Sequence, residues 1–341
     1  MGSAFGNSAM LVTDAVNQRY FHRLVFATGV TYISDKRQTF VTWAKTEETA
    51  LPGAMELLQT DGEALGSAVK GLLIEDGSPC LTVERTIPLF LYSAITAQVE
   101  KTRIASHDVI GELRETKNEW ELEQIQKASE ITDYAFDQAL GFIKPGVSEI
   151  EIAAFLEYHM RLKGGSESNK TIVACGKNSA FPHHWPTDCV VQKGDFLTVD
   201  FGCSVNGYHS DLTRTLFVGK ATNRQKEIYN LVHFAQQAGI DALRAGKKGG
   251  DIDKIARDII DGTEYAGRFV HGLGHGIGLC IHEGTGLGKG ENGILKNGMV
   301  VSVEPGIYIE GYGGVRIEDI AVIETHGAKV LEHADKGLIE L

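Results

Sequence analysis

The chain is poor in the features that define several common protein classes. It holds five cysteines, Cys80, Cys175, Cys189, Cys203 and Cys280. Their number is odd, their spacing wide, and no CxxC occurs, which argues against a disulfide framework and against a cysteine zinc site. A reduced, cytoplasmic protein is therefore expected. No window approaches ~18 uninterrupted apolar residues, so no membrane span is expected. The opening "MGSAFGNSAM" has neither the basic nor the apolar region of a signal peptide. Positive charge is in deficit: the net charge is −12, and without clustered Lys and Arg no nucleic-acid partner is expected. Several catalytic signatures are missing as well. There is no HExxH and no GxSxG. The glycine-rich "HGLGHGIGLCIHEGTGLGKG" lacks the Lys-Ser/Thr ending of a P-loop and the βαβ setting of a dinucleotide fingerprint.

What is present suits an ordinary folded chain of one or two domains. Of 341 residues, 43% are apolar and 23% charged, enough for a sizeable core. The 40 glycines cluster at 272–290 and 311–314, where tight turns let backbone approach a ligand.

Residues 8–112 read as a small α/β domain. "AMLVTD", "GVTYIS", "QTFVTW", "GLLIED" and "PCLTVE" are strand-like, with helical pieces "GAMELLQ" and "GEALGSAVKG" between them. Residues 113–341 differ in character. Leu122, Ile125, Ala128 and Ala135 recur at helical spacing, and Thr116 with Glu119 makes a capping-box pattern at the start of that helix. A weak internal repeat follows. A shift of 103 matches Lys144 to Lys247, Gly146 to Gly249, Ile152 to Ile255 and Ala153 to Ala256, and pairs the candidate N-caps Ser148 and Asp251. Each half runs on into β structure. "GDFLTVDFG" and "YHSDLTRTLFV" form a hairpin around Asn206–Gly207, and "NGMVVSVEPGIYI" and "GVRIEDIAVI" a second one around the glycines at 311–314. The expected fold class is α+β: a duplicated domain with antiparallel sheet under helices, preceded by the smaller α/β domain.

Five polar residues stand out against their apolar surroundings. Asp200 ends the strand "FLTVD", Asp211 begins "DLTRT", His275 sits in "GLGHGIG", Glu304 interrupts "VVSVEPGIY", and Glu318 lies in "VRIEDIA". A single acid at a strand end reads equally well as a solvated group or as the partner of Arg214 or Arg316. Two hairpins each presenting two acids are harder to explain that way, because buried carboxylates repel unless a cation joins them. Four carboxylates and one imidazole suit Mn²⁺, Co²⁺, Fe²⁺ or Zn²⁺. With bridging carboxylates they suffice for two ions ~3.5–4 Å apart. In "VRIEDIA", Arg316 and Glu318 share a strand face.

The segments "NSAFPHH", "VDFGCSVNGYHSDLTRT", "HGLGHGIGLCIHE", "VSVEPGIYI" and "VRIEDIAV" resemble the pita-bread metallopeptidases, which include methionine aminopeptidase, aminopeptidase P, prolidase and creatinase. The resemblance spans roughly residues 112–335. Residues 8–110 resemble, more loosely, the creatinase-type N-terminal domain of the proline peptidases. That domain and the short step from Glu304 to Glu318 disfavour methionine aminopeptidase. Retention of all five ligands disfavours the metal-free creatinase type.

The resemblance implies metal ligands Asp200, Asp211, His275, Glu304 and Glu318, with Asp211 and Glu318 bridging two divalent ions, Mn²⁺ first and Co²⁺, Zn²⁺ or Fe²⁺ as alternatives. It implies that Glu304 helps deprotonate a water shared by the ions, and that His183, His271 and His282 donate hydrogen bonds to the scissile carbonyl or substrate terminus. Arg316 reads as a substrate contact or as a charge partner. His184 and His209 read as structural or surface groups, and Trp185 as the wall of a proline pocket or a packed side chain. The implied activity is hydrolysis of the bond before proline in a peptide with proline second, as an Xaa-Pro dipeptidase or an aminopeptidase P, in a cytoplasmic homodimer. The alternative is a non-catalytic peptide-binding member of the same fold.

Overall fold

A computed structural model describes residues 8–23, 28–44, 55–167 and 171–341. The chain divides into two units, Met1–Leu113 and Arg114–Leu341.

In the first unit the strands β1 (Ala9–Val12), β2 (Gly29–Ile33), β3 (Gln38–Thr42), β4 (Glu56–Gln59), β5 (Leu81–Val83) and β6 (Ile104–Ser106) form one mixed sheet in the order β4-β3-β2-β1-β5-β6. Helices α1 (Ala15–His22), α2 (Leu65–Asp76) and α3 (Leu89–Thr96) accompany it, and the division between units falls within α4 (Val109–Glu115). Two segments differ from the sequence reading. "GLLIED" is the C-terminal half of α2, not a strand. Its Leu72 and Leu73 continue the buried face begun by Leu65 and Val69, and so short an apolar run has no periodicity of its own to separate helix from strand. In "GAMELLQ", Glu56–Gln59 pairs in parallel with β3 rather than forming a helix; Gly53 and Ala54 lie outside the described residues.

The second unit contains two helix pairs, each with a sheet. Helices α5 (Glu119–Phe142) and α6 (Glu149–Leu162) accompany the sheet β12-β9-β8, built from β8 (Ile172–Cys175), β9 (Phe196–Phe201) and β12 (Leu212–Phe217). A side sheet joins β7 (Ser166–Glu167), β10 (Cys203–Val205) and β11 (Tyr208–His209). Helices α7 (Asn223–Ala242) and α8 (Gly249–Asp261) accompany the sheet β13-β16-β17, built from β13 (Val300–Val303), β16 (Asp319–Ile323) and β17 (Ala328–Val330), and the ribbon β14 (Gly306–Ile309)–β15 (Gly313–Arg316). Each half has its own core. Phe136, Ile152, Leu156, Val199 and Phe201 belong to the first; Tyr229, Ile252, Val301, Val303 and Ile317 belong to the second.

The cap of α5 is Asn118 with Glu121, not Thr116 with Glu119. Asn118 Oδ1 accepts from Glu121 N at 3.1 Å, and Glu121 Oε2 accepts from Asn118 N at 2.7 Å, which satisfies two otherwise orphaned donors. The repeat also has a different register. Gly146 N bonds Val191 O and Gly246 N bonds Leu295 O; Glu149 N bonds Cys189 O and Gly249 N bonds Gly293 O. Gly246 therefore takes the place of Gly146, an offset of 100 rather than 103. A slip of three residues is close to one helical turn, so the apolar faces of α6 and α8 overlay either way. Ser148 caps α6, whereas Asp251 lies inside the first turn of α8, whose cap is Lys248.

The first hairpin turns at its Asn-Gly signal, and the second breaks beside two of the acids singled out from the sequence. Asn206 and Gly207 take positive φ of 50° and 84° and turn β10 into β11. The second hairpin is interrupted at Glu304–Pro305 and at Ile317–Glu318, between its two paired stretches β13–β16 and β14–β15. Pro305 has no N–H for a ladder. At these breaks Glu304 N turns to Leu273 O at 2.7 Å, and Glu318 N to Thr213 O at 3.0 Å. The second bond carries Glu318 onto a strand of the first half. No helix among the described residues is long and apolar enough to cross a membrane.

Candidate metal centre

A cavity of about 300 Å³ in the second unit is lined by all nine residues singled out from the sequence: His183, Asp200, Asp211, His271, His275, His282, Glu304, Arg316 and Glu318. They come from five stretches of chain. Asp200 lies in β9, opposite Thr213 of β12, and Asp211 immediately precedes β12. Glu304 and Glu318 occupy the two strand breaks. His275 is held against β13, its N–H donating to Ser302 Oγ at 3.0 Å and its carbonyl accepting from Ser302 N at 2.8 Å. That approach requires the flanking glycines. A Cβ on Gly274 would stand 2.0 Å from Ser302 O, and one on Gly276 2.0 Å from Glu283 O.

The polar atoms are acceptors facing acceptors. His275 Nδ1 lies 3.2 Å from Gly276 O; a carbonyl only accepts, so Nδ1 carries the proton and Nε2 presents a lone pair. That Nε2 lies 3.6 Å from Asp211 Oδ2 and 3.4 Å from Glu304 Oε1. Burial, then the neighbouring His282, pushes His275 down to about 4, so the ring is neutral near pH 7 and does not pair with the acids as a cation. Asp211, His275 and Glu318 each offer a ligand atom, all within 4.8 Å of one another. Glu318 Oε2 accepts from Thr213 Oγ1 at 2.6 Å, while its buried Oε1 has no protein partner among the described residues.

The acids are held against their own ionisation. Burial first, then Asp200 and Glu304, pushes Asp211 well above the usual carboxylate range. Burial, then Asp211 and Glu304, does the same to Glu318. Burial pushes Glu304 up to about 7. Such crowding is costly without a cation. An orphaned carboxylate oxygen, an imidazole lone pair and adjoining acids form an oxygen-rich, single-nitrogen donor set that fits divalent metal.

The other lining residues form a relay. Arg316 is 3% exposed. Its Nη2 donates to Asp200 Oδ2 at 2.5 Å, Nη1 to Tyr308 OH at 2.8 Å and to Pro182 O at 3.3 Å, and Nε to Thr213 Oγ1 at 3.2 Å. These bonds use four of the five guanidinium N–H groups. Tyr308 OH lies 2.8 Å from His271 Nε2, and His271 Nδ1 lies 2.8 Å from Gly272 O. Nδ1 is again the protonated nitrogen, so Tyr308 donates to Nε2 while accepting from Arg316. Burial, then the Arg316 charge, pushes His271 down to about 4, consistent with a neutral ring. His282 packs edge-on against His275, ring centres 4.1 Å apart.

Sequence reasoning missed Tyr308, Thr213, Ser302 and Glu149. Only Tyr308 left a trace, as a polar-tipped residue in the strand-like "GIYI". His184, read as structural or surface, donates from Nε2 to Oε2 of the buried Glu149 at 2.9 Å. Trp185 is 59% exposed.

Residues 123–325 match the description "Metallopeptidase family M24". The Xaa-Pro dipeptidase of Pyrococcus furiosus is 41% identical over 73% of this chain and 73% of its own. The uncharacterized peptidase YqhT of Bacillus subtilis is 37% identical over 98% of this chain and 96% of its own. Among solved structures, the Xaa-Pro dipeptidase from Bacillus anthracis has a TM-score of 0.94 at 39% identity, covering 99% of this chain and 97% of its own. The X-Pro aminopeptidase from Thermotoga maritima has a TM-score of 0.92 at 30% identity, covering 99% of each. Fold and likeness together define a metallopeptidase with the duplicated α+β pita-bread architecture. The chain belongs to metallopeptidase family M24, a membership that implies divalent metal.

Proposed function

We propose that this chain is a dinuclear-metal peptidase that hydrolyses the bond between an N-terminal residue and a following proline. The observation that carries the reading is the meeting of His275 Nε2 with the oxygens of Asp211 and Glu304 beside the orphaned Glu318 Oε1, acceptors that need a shared cation. Asp200, Asp211, His275, Glu304 and Glu318 would hold the metal, Mn²⁺ by preference. When bound, two ions would polarise the scissile carbonyl and lower the pKa of a shared water. Glu304, facing His275 Nε2 at 3.4 Å, takes a proton from the attacking water and returns it to the leaving amine. His183 and His282 donate to the developing oxyanion or the peptide terminus. His271 is oriented through Tyr308, and the fifth N–H of Arg316 is available to a substrate group. The preference for proline in second position is supported by the names of the relatives. Residues 8–112 act as the creatinase-type N-terminal domain, the assembly is a homodimer, and five free thiols favour a reducing, cytoplasmic setting.

The test is reconstitution of stripped protein with Mn²⁺, Co²⁺ or Zn²⁺, assayed on an Xaa-Pro dipeptide and an Xaa-Pro-Yaa tripeptide, with Glu304→Gln as control. Metal-dependent release of the first residue, lost in the control, is expected, and the length preference names the subtype. Absence of metal binding would sink the proposal and favour a non-catalytic peptide-binding role.

A further inference from the structure

A second cluster of reactive side chains lies at the end of β8 and on the loop that follows it. Cys175 Sγ and Cys189 Sγ are 3.3 Å apart, one buried and one exposed. The approach is built by one residue. Glu149, fully buried, accepts from Cys175 N through Oε1 at 2.8 Å, while its own N–H donates to Cys189 O at 3.0 Å. Both cysteine backbones therefore hang on Glu149, at the start of α6.

Glu149, Cys175 and Cys189 also lie close enough to ligate a cation, but the carboxylate is committed. Oε1 takes Cys175 N and Asn178 Nδ2, and Oε2 takes His184 Nε2, Thr187 N and Thr187 Oγ1, all within 3.0 Å. Five partners exceed the roughly four lone-pair directions of a carboxylate. What remains is two thiols with nothing between them.

We propose that Cys175 and Cys189 are a modification site, a dithiol that closes to a disulfide when the protein meets hydrogen peroxide. Cys189, the exposed thiol, attacks the peroxide O–O bond as its thiolate. That bond breaks, the Cys189 sulfur becomes a sulfenic acid, and the departing hydroxide takes up the proton the thiol gave up, leaving as water. Cys175 Sγ then attacks the Cys189 sulfur. The S–O bond breaks, the S–S bond forms, and the Cys175 proton leaves with the hydroxyl as a second water. Two thiols lose two electrons and one peroxide gains them. Burial pushes the Cys175 thiol up, which keeps it protonated until the sulfenic acid forms beside it. A disulfide is ~2.0 Å long, so the sulfurs, 3.3 Å apart, must close by roughly 1.3 Å. The link would tie to β8 the loop that carries Pro182 and His183 into the cavity. This inference is independent of the proposed peptide specificity.

Trypsin separates the two cysteines, placing Cys175 in peptide 171–177 and Cys189 in peptide 178–193. The full-length protein is treated with a small excess of hydrogen peroxide, alkylated, digested without reductant and read by mass spectrometry. The expected result is a linked 171–177/178–193 pair that disappears on reduction and is absent from Cys189→Ser, while Cys80, Cys203 and Cys280 remain alkylated. Recovery of both peptides singly alkylated, or of Cys189 as a sulfinic acid with Cys175 still a free thiol, would overturn the proposal. The wild-type digest decides it even if the variant folds poorly.

Discussion

Thr213 Oγ1 donates to Glu318 Oε2 at 2.6 Å across 105 residues of sequence, leaving Glu318 Oε1 without a protein partner among the described residues. The strand of one half thereby orients an acid of the other while one oxygen stays available to a cation. The same carboxylate is pushed well above its usual range by burial and by Asp211 and Glu304.

The first prediction concerns metal-free protein. Asp211 and Glu318 are raised well above, and Glu304 to about 7 from 4.5. Their protonated forms are favoured in the fold, so this contribution is present below the unfolded values and is lost as pH rises through the folded ones. The lowered histidines oppose that trend only below about 6.5, where unfolded histidine titrates. Between about pH 6.5 and 8 the melting temperature of metal-free protein should therefore fall as pH rises. Mn²⁺ should reverse the slope, because bound ligands must lose protons. Glu304→Gln should stabilise metal-free protein near pH 8 by on the order of 1–3 kcal/mol. Calorimetry across that window checks both; a flat metal-free profile would contradict the crowding of the acids.

Arg316→Lys keeps the charge but removes the fork that spans Asp200, Tyr308, Thr213 and Pro182 O. Peptidase kcat/KM should fall by about 100-fold, with circular dichroism unchanged. Steady-state kinetics of the reconstituted variant provide the check, and a loss below about threefold would mean that the relay to His271 is dispensable.

Glu149→Gln introduces an amide donor where five donors already converge on one side chain. Destabilisation of about 2–4 kcal/mol is expected. KM should rise, because the loop held by Glu149 carries His183. Urea denaturation and peptide kinetics test the two parts separately.

Gly274→Ala would set a Cβ 2.0 Å from Ser302 O, against backbone that has no room to yield, whereas Gly288→Ala meets nothing within 4 Å. The first should cost at least about 3 kcal/mol or weaken metal binding through His275, and the second should be near neutral. Thermal melts and metal titration of the pair distinguish local crowding from general intolerance of alanine in the glycine-rich loop.

The duplicated α+β plan and the cavity residues Asp200, Asp211, His275, Glu304, Arg316 and Glu318 were legible in the sequence because each left a local mark, whereas His183, His271 and His282 were reached only through the resemblance to the pita-bread metallopeptidases. Apolar residues recurred at helical spacing through α5, and acids interrupted apolar strands at Asp200, Glu304 and Glu318, where burial of charge is too costly to be accidental. The errors arose where the local mark was ambiguous. "GLLIED" is too short to show a period. A three-residue slip between α6 and α8 nearly completes a turn, which hid the true offset. The capping box read at Thr116 and Glu119 lies two residues before the one that forms, at Asn118 and Glu121, because the S/T/N-x-x-E pattern does not by itself fix where the helical backbone begins.

Side-chain type and spacing along the chain thus carried the donor set, since the chemistry of a carboxylate or an imidazole belongs to the residue itself. Folding settled how those donors are used: that Glu318 leaves its ladder for Thr213, that Arg316 reaches Asp200 and Tyr308, and that Glu149 brings Cys175 beside Cys189. Such relations join residues far apart in the chain. They depend on register, strand breaks and the packing of distant elements, and no local window of sequence contains that information.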